Sequence, residues 1–327
     1  MIQAQAATEA TTRTTIWKYI IRYRTILILI ALMIVFTILK PVFINPLNLL
    51  SILKNMSYVL VVGLGMTFII TLGGLDLSVG SIAAVVGVGF ALLIRGGLMP
   101  ALPALIIVVI AALLLGFFNG FVSVKGKIEP FLVTLATMFM YRGLALTLTA
   151  GRPVPIVMPA FIALFGNGLL FNIIPTPVII SLIVLLASWF LFTKTKFGFY
   201  VRSIGGNPEA ARVAGINISR VKMAAYTMNG GYAAISGLIL AALMNSGLPD
   251  VGSALALDSI AGVILGGTAI SGGVGSIFGT LGGVMIIATL NNGMSLLGAQ
   301  YHVQIFVKGL VIILAVLMDN ALKSKQR

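Results

Sequence analysis

Ten stretches almost free of charge divide the chain: 26–39, 57–72, 79–94, 104–124, 130–149, 177–193, 223–244, 257–270, 277–297 and 303–318. A hydrocarbon layer is crossed by about 20 apolar residues in a helix, because every backbone N–H and C=O must be paired within the segment. Only 9% of the 327 residues are charged, against about 25% in soluble domains, too few to coat a water-facing surface. Soluble enzymes are thereby excluded, and so are disordered chains, whose composition is the reverse. The pattern predicts an all-α integral membrane protein of about ten transmembrane helices, with residues 1–327 forming one polytopic domain. Runs 57–72, 79–94 and 257–270 are short for a span and leave room for one re-entrant segment.

Charge fixes the expected orientation. With the N-terminus in the cytoplasm and ten spans, inside segments hold fifteen of the 21 Lys and Arg, including Arg13, Lys18, Arg22, Arg24, Lys125, Lys127, Lys323, Lys325 and Arg327. Outside loops hold four: Lys40, Lys54, Arg95 and Arg152. Cytoplasmic loops are the basic ones, so both termini are expected inside. The net charge of +14 is then a match to anionic lipid and no sign of nucleic acid. The first apolar run exits through Lys40-Pro41-Val42-Phe43 with no small-x-small site, so its helix is expected to be retained. Cysteine is absent and His302 is the one histidine, which removes thiolate and His-cluster metal sites. His302 is read as solvated in an outer loop.

Two long loops differ. Residues 150–176 carry one charge and several prolines and should form an ordered outer cap. Residues 194–222 are the most charged stretch, and a soluble partner would dock there. Within it, Gly205-Gly206-Asn207 reads as a turn, Asn207 as an N-cap, and Pro208 as the first helical residue. Glu209 opposes the helix dipole, Ala210, Ala211 and Arg212 continue, and Gly215 ends a helix of about two turns. Such a helix is unstable alone and must pack on something. It serves either as an insert for a partner's groove or as a helix on the lipid surface.

The segment from Gly73 to Ser81 interrupts a long apolar stretch, and Asp76 is the only charge between Lys54 and Arg95. Asp76 or Ser78 caps the next helix, pairs with a cation, or lines a path. Asn119, Thr134, Asn291 and Asn292 lie in or near spans. They either bond between helices or meet a polar solute. Arg142 and Lys308 are expected to pair or snorkel. GFFNG, GVILG and GSIFG read as close helix packing. Residues 72–87 faintly resemble 245–266, and segments 57–149 and 223–318 would run in opposite directions, so an inverted repeat is expected.

SIGGNPEAARVAGINISRVK resembles the cytoplasmic loop of permease subunits in bacterial ABC importers of the ribose/arabinose/xylose type. GLGMTFIITLGGLDLSVGSIAA at 63–84, the block at 116–145 and the block at 257–298 are similar to the same family. The likeness spans about 25–320. It implies that Gly206, Asn207, Glu209, Ala210, Ala211 and Gly215 couple the chain to a separate ATPase, with Gly205 and Arg212 beside them. It also implies an external sugar-binding protein, a permease homodimer, a monosaccharide substrate and the bacterial inner membrane. The chain has no G-x-x-x-x-G-K-[ST] loop, so ATP and Mg are expected on the ATPase, with no cofactor here. Ribose is the first expectation for the sugar; allose, another pentose and a furanose stay open. An ion-coupled secondary transporter or passive channel is the alternative. An intramembrane enzyme has no nucleophile elbow or carboxylate pair to support it.

Overall fold

The computed structural model describes residues 25–300, 302–311 and 313. The basic clusters at 13–24 and 323–327, and the aromatic residues at 17–23, lie outside the described residues. Ten helices coincide with the ten apolar runs: α1 (Thr25–Leu39), α2 (Pro46–Thr71), α3 (Val79–Ile94), α4 (Ala101–Gly126), α5 (Pro130–Thr149), α7 (Thr176–Lys194), α10 (Ile218–Leu243), α11 (Leu255–Leu265), α12 (Ile277–Leu296) and α13 (His302–Val311). Three short helices join them, α6 (Pro159–Ile162), α8 (Lys196–Gly206) and α9 (Pro208–Val213). Among the described residues, six helices are long and apolar enough to cross a membrane: α2, α3, α4, α5, α7 and α12. Helix α10 has 26 residues, about 39 Å, yet it is rich in Gly and Ala and carries Asn229 at its middle.

Helix α2 is also 26 residues long, so the expected short run at 57–72 is corrected. The run began late because Asn48, Lys54 and Asn55 dilute the first turns. The helix starts at Pro46, and Asn45 Oδ1 accepts from Leu47 N at 2.9 Å. His302 opens α13 and is exposed, so it lies on a helix and not in a loop.

Helices α2, α3, α10 and α12 form the interior. Val59–Thr71 of α2 is buried without a break. Helix α10 packs on α4, α2 and α3, while α2 also meets α7, α11 and α12. Helices α4, α5 and α7 turn large apolar side chains outward, among them Ile106, Leu114, Phe139, Leu144, Ile183 and Phe190. Exposed apolar faces on this scale need hydrocarbon as solvent.

Two helices, α3 and α11, are preceded by irregular chain. After α2, residues 72–78 climb along α10 in irregular form before α3 begins: Leu75 meets Tyr226, and further on Ala83 meets Gly237. After α10, the chain turns back along α3. Gly247 lies against Gly87 and Val88, and Gly252 against Gly80. Helix α11 then runs on to a turn at 266–276. Gly80 and Gly252 touch backbone to backbone, and a Cβ on either would collide with the other. Helix α11 has only 11 residues, about 16 Å, because its outer half is this descending strand-like segment. The outer cap expected at 150–176 is ordered. Strand β1 (Val154–Pro155) pairs antiparallel with β4 (Ser246–Gly247), and β2 (Leu169–Leu170) pairs with β3 (Ile174–Pro175).

Candidate functional site

Helix α9 is the predicted short helix. Asn207 caps it, its Oδ1 accepting from Ala210 N at 3.0 Å, and Pro208 is the first helical residue. Gly215 follows its end at φ +79°. Ala211 is buried, while Glu209, Ala210 and Arg212 are exposed. Glu209 and Arg212 pair at 3.3 Å with both side chains about 70% exposed, which contributes little stability. Val213 is 89% exposed. This apolar prong beside a charged pair was not singled out from the sequence, although an exposed valine on a two-turn helix is itself a docking signal.

Gly205 and Gly206 are corrected. They form the last turn of α8, not a separate turn, and neither has positive φ. Gly205 is needed for close approach: a Cβ there would collide with the carbonyl oxygen of Thr71 and lie 2.6 Å from Gly273 N. Gly273 N itself donates to Thr71 O at 2.9 Å. The end of α8, the end of α2 and the turn before α12 therefore meet through bare backbone. Helix α8 is fixed from the other side. Val201 and Ile204 are fully buried, Thr195 caps it, and the Arg202 guanidinium donates to Phe192 O and covers the Phe192 ring.

Asp76, Ser78, Asn119 and Thr134 come together in one buried network. Asp76 Oδ1 accepts from Ser78 N at 2.9 Å and Ser78 Oγ at 2.6 Å, and Oδ2 accepts from Asn229 Nδ2 at 2.8 Å. Asn119 Nδ2 donates to Ser78 Oγ, and Tyr141 OH donates to Asn119 Oδ1 at 3.1 Å. Thr134 Oγ1 and Tyr226 OH both donate to Leu75 O. The network ties the irregular segment to α4, α5 and α10 and satisfies its exposed backbone, which membrane burial demands. Asn229, Tyr226 and Tyr141 were missed from the sequence; an Asn amid small residues in α10 was the available signal.

Asn291 and Asn292 lie elsewhere. Asn292 and Asn48 exchange amide hydrogen bonds at 2.8 and 3.0 Å, joining α12 to α2. Asn291 and Asn292 line a cleft of about 210 Å³ with Asn55, Tyr58 and Ser295. Asn291 Oδ1 is buried without a hydrogen-bond partner among the described residues. Among the described residues Arg142 forms no ion pair. It donates to Pro249 O, and to Val251 O at 2.9 Å, holding the descending segment. Lys308 pairs with Asp258 at 3.0 and 3.1 Å, both side chains 12% exposed.

A helical membrane body with irregular chain before two of its helices and an exposed capped helix at its basic end is the build of a transport permease, driven from outside itself. The chain belongs to the family described as the permease component of the branched-chain amino acid transport system, which matches residues 48–316. It is a multi-pass membrane permease of the bacterial ABC-importer class and not itself a catalyst. It is 44% identical over 293 residues to the ribose import permease protein of Bacillus subtilis (strain 168), covering 89% of this chain and 90% of that one. It is 38% identical to the ribose import permease protein of Escherichia coli (strain K12), covering 92% and 94%. It is 33% identical to the xylose transport system permease protein of the same strain, covering 91% of each. No solved structure matches the chain.

Proposed function

We propose that this chain is the translocation subunit of an ATP-driven, binding-protein-dependent importer of a ribose-like monosaccharide. The family description names amino acids, but the two relatives above with the highest identity are ribose permeases along nine-tenths of their length, and likeness over that span favours the pentose. A separate ATPase would grip α9 through Glu209, Ala210, Arg212 and the exposed Val213, and an external sugar-binding protein would dock on the opposite face. ATP and Mg would be held by the ATPase.

The observation that carries the reading is the mounting of α9. It follows α8 directly, and α8 ends on Thr71 and Gly273 with no side chain between. A push on α9 would pass as rigid-body movement to α2 and to the turn before α12. The cleft between those two helices would then be part of the sugar path, with Asn291 and Asn292 offering amides to sugar hydroxyls. Asp76, Ser78, Asn119 and Thr134 would act as a clasp that holds the irregular segment before α3 to α4, α5 and α10. In a homodimer, two such clefts would face a shared pathway.

The full topology belongs to the same proposal: ten spans, counting those preceded by irregular chain, with both termini cytoplasmic. Two inverted halves are supported by register. A shift of 172 positions (46 to 218) carries Pro46–Thr71 onto Ile218–Leu243, both 26 residues long. The same shift carries Val79-Gly80-Ser81 onto Val251-Gly252-Ser253, and Gly80 and Gly252 touch, as residues beside a pseudo-twofold axis do.

The test is uptake by proteoliposomes holding the permease with its ATPase and binding protein. Uphill ribose accumulation should require ATP. Glu209→Lys should abolish it and loosen ATPase co-purification without affecting insertion. Accumulation without nucleotide, or unchanged uptake by the variant, would overturn the reading.

A further inference from the structure

We infer that the basic end of the permease holds one anionic phospholipid of the phosphatidylglycerol class, in the cavity between the α4–α5 turn and the start of α10. The inference rests on the reading of this chain as a permease with that end at the cytoplasmic lipid surface. The cavity is about 310 Å³, and Lys127 and Lys222 line it from the two elements. Among the described residues neither ammonium has an ion-pair partner. Lys222 is half-buried. Ser123, Glu129 and Ser219 complete the polar lining.

Two ammoniums against one carboxylate leave a single positive charge, which a phosphodiester neutralises. The glycerol hydroxyls of the headgroup would donate to Glu129, a partner that choline does not supply. The apolar wall points to the rest of the lipid. Phe117, Phe121 and Val124 follow i, i+4, i+7 spacing, one stripe of α4 leading to the cavity. The two rings lie 5.8 Å apart, and each side chain is 43% exposed. Val124 and Ile128 line the cavity itself. An acyl chain covers that stripe; an acidic side chain of the ATPase, the competing occupant, does not.

Native mass spectrometry of the purified permease–ATPase complex tests this, with phosphatidylglycerol or phosphatidylcholine of identical chains added. The expected result is one phosphatidylglycerol retained per permease, with retention falling at least fivefold in Lys127→Gln/Lys222→Gln. Retention should be unchanged in Lys40→Gln at the opposite end. Should the double variant fail to fold and insert, Phe121→Glu, which sets a like charge beside the headgroup on a half-exposed side chain, should show the same loss. Equal retention of both lipids, or no loss in either variant, overturns the proposal. Displacement by equimolar inorganic phosphate would make it a free-anion site, and loss of the ATPase from the double variant would make it a subunit contact; either also overturns it. Sugar uptake by the wild type in the same preparation tests the permease reading separately.

Discussion

The side-chain amide of Asn229 donates to the Asp76 carboxylate at 2.8 Å across 153 residues of chain, pinning the middle of α10 to the irregular segment that precedes α3. Both residues are fully buried. Removing the carboxylate leaves the Asn229 amide and Ser78 N without their acceptor, at about 1–3 kcal/mol for each group. Asp76→Ala should therefore lower the unfolding temperature in detergent by roughly 5–10 °C. Exchanging the partners, Asp76→Asn with Asn229→Asp, should recover most of that loss. A residue acting only in the sugar path would leave the unfolding temperature unchanged and alter uptake alone.

Gly205 marks where movement would enter the membrane body. An added methyl group has no space between Thr71 O and Gly273 N, and both neighbours are backbone, which cannot rotate away. Gly205→Ala should part the end of α8 from the end of α2, at about 1–3 kcal/mol for overpacking. Because α9 is left intact, the ATPase should still co-purify while ATP-driven uptake falls at least tenfold. The comparison variant is Gly206→Ala, where the nearest atom to the new Cβ is 4.0 Å away, and it should transport nearly normally.

These two sites show what could be read from the chain alone. Helices α3 and α5 begin and end where their apolar runs do, because Ser78 and Glu129-Pro130 start them and Arg95 and Ala150 follow them. Helix α10 starts five residues before its run, since Ser219, Arg220 and Lys222 look like loop by hydropathy. Glycine is the harder case. At Gly215 it serves positive φ, and at Gly205 it serves contact with residues 71 and 273. Nothing local separates the two uses. The descending segment after α10 carries Asn, Ser, Gly, Pro and Asp, which signal turns without saying where they pack, and its anchor Arg142 lies 107 residues away.

That anchor makes its own prediction. Arg142 serves two carbonyl oxygens, of Pro249 and Val251. A planar guanidinium can address both at once, whereas an ammonium is a single point charge on a flexible stem. Arg142→Lys should be partly destabilised, and Arg142→Met more so, since both carbonyls are then orphaned at about 1–3 kcal/mol each. Hydrogen exchange at 248–254 should quicken in the order wild type, Lys, Met, while exchange at α12 stays unchanged. Equal protection in all three would mean that the β1–β4 pairing alone holds the segment.

The Lys308–Asp258 pair joins α13 to α11 where both side chains are nearly enclosed. Its two charges were taken out of water together, so the pair is not expected to contribute much net stability. Breaking it from one side is different. Asp258→Leu leaves the Lys308 ammonium without its counter-charge at about 3–5 kcal/mol, and Lys308→Met does the same to the carboxylate. The double variant Asp258→Leu/Lys308→Met should return close to wild-type stability, because no charge is left buried. Thermal unfolding of the four proteins in one detergent forms the double-mutant cycle, and a strongly positive coupling is expected. The pair lies beside the cleft, since Asn291, one of its lining residues, also bonds Asp258. The restored double variant should therefore fold but transport less, because Asn291 then loses the carboxylate beside the cleft.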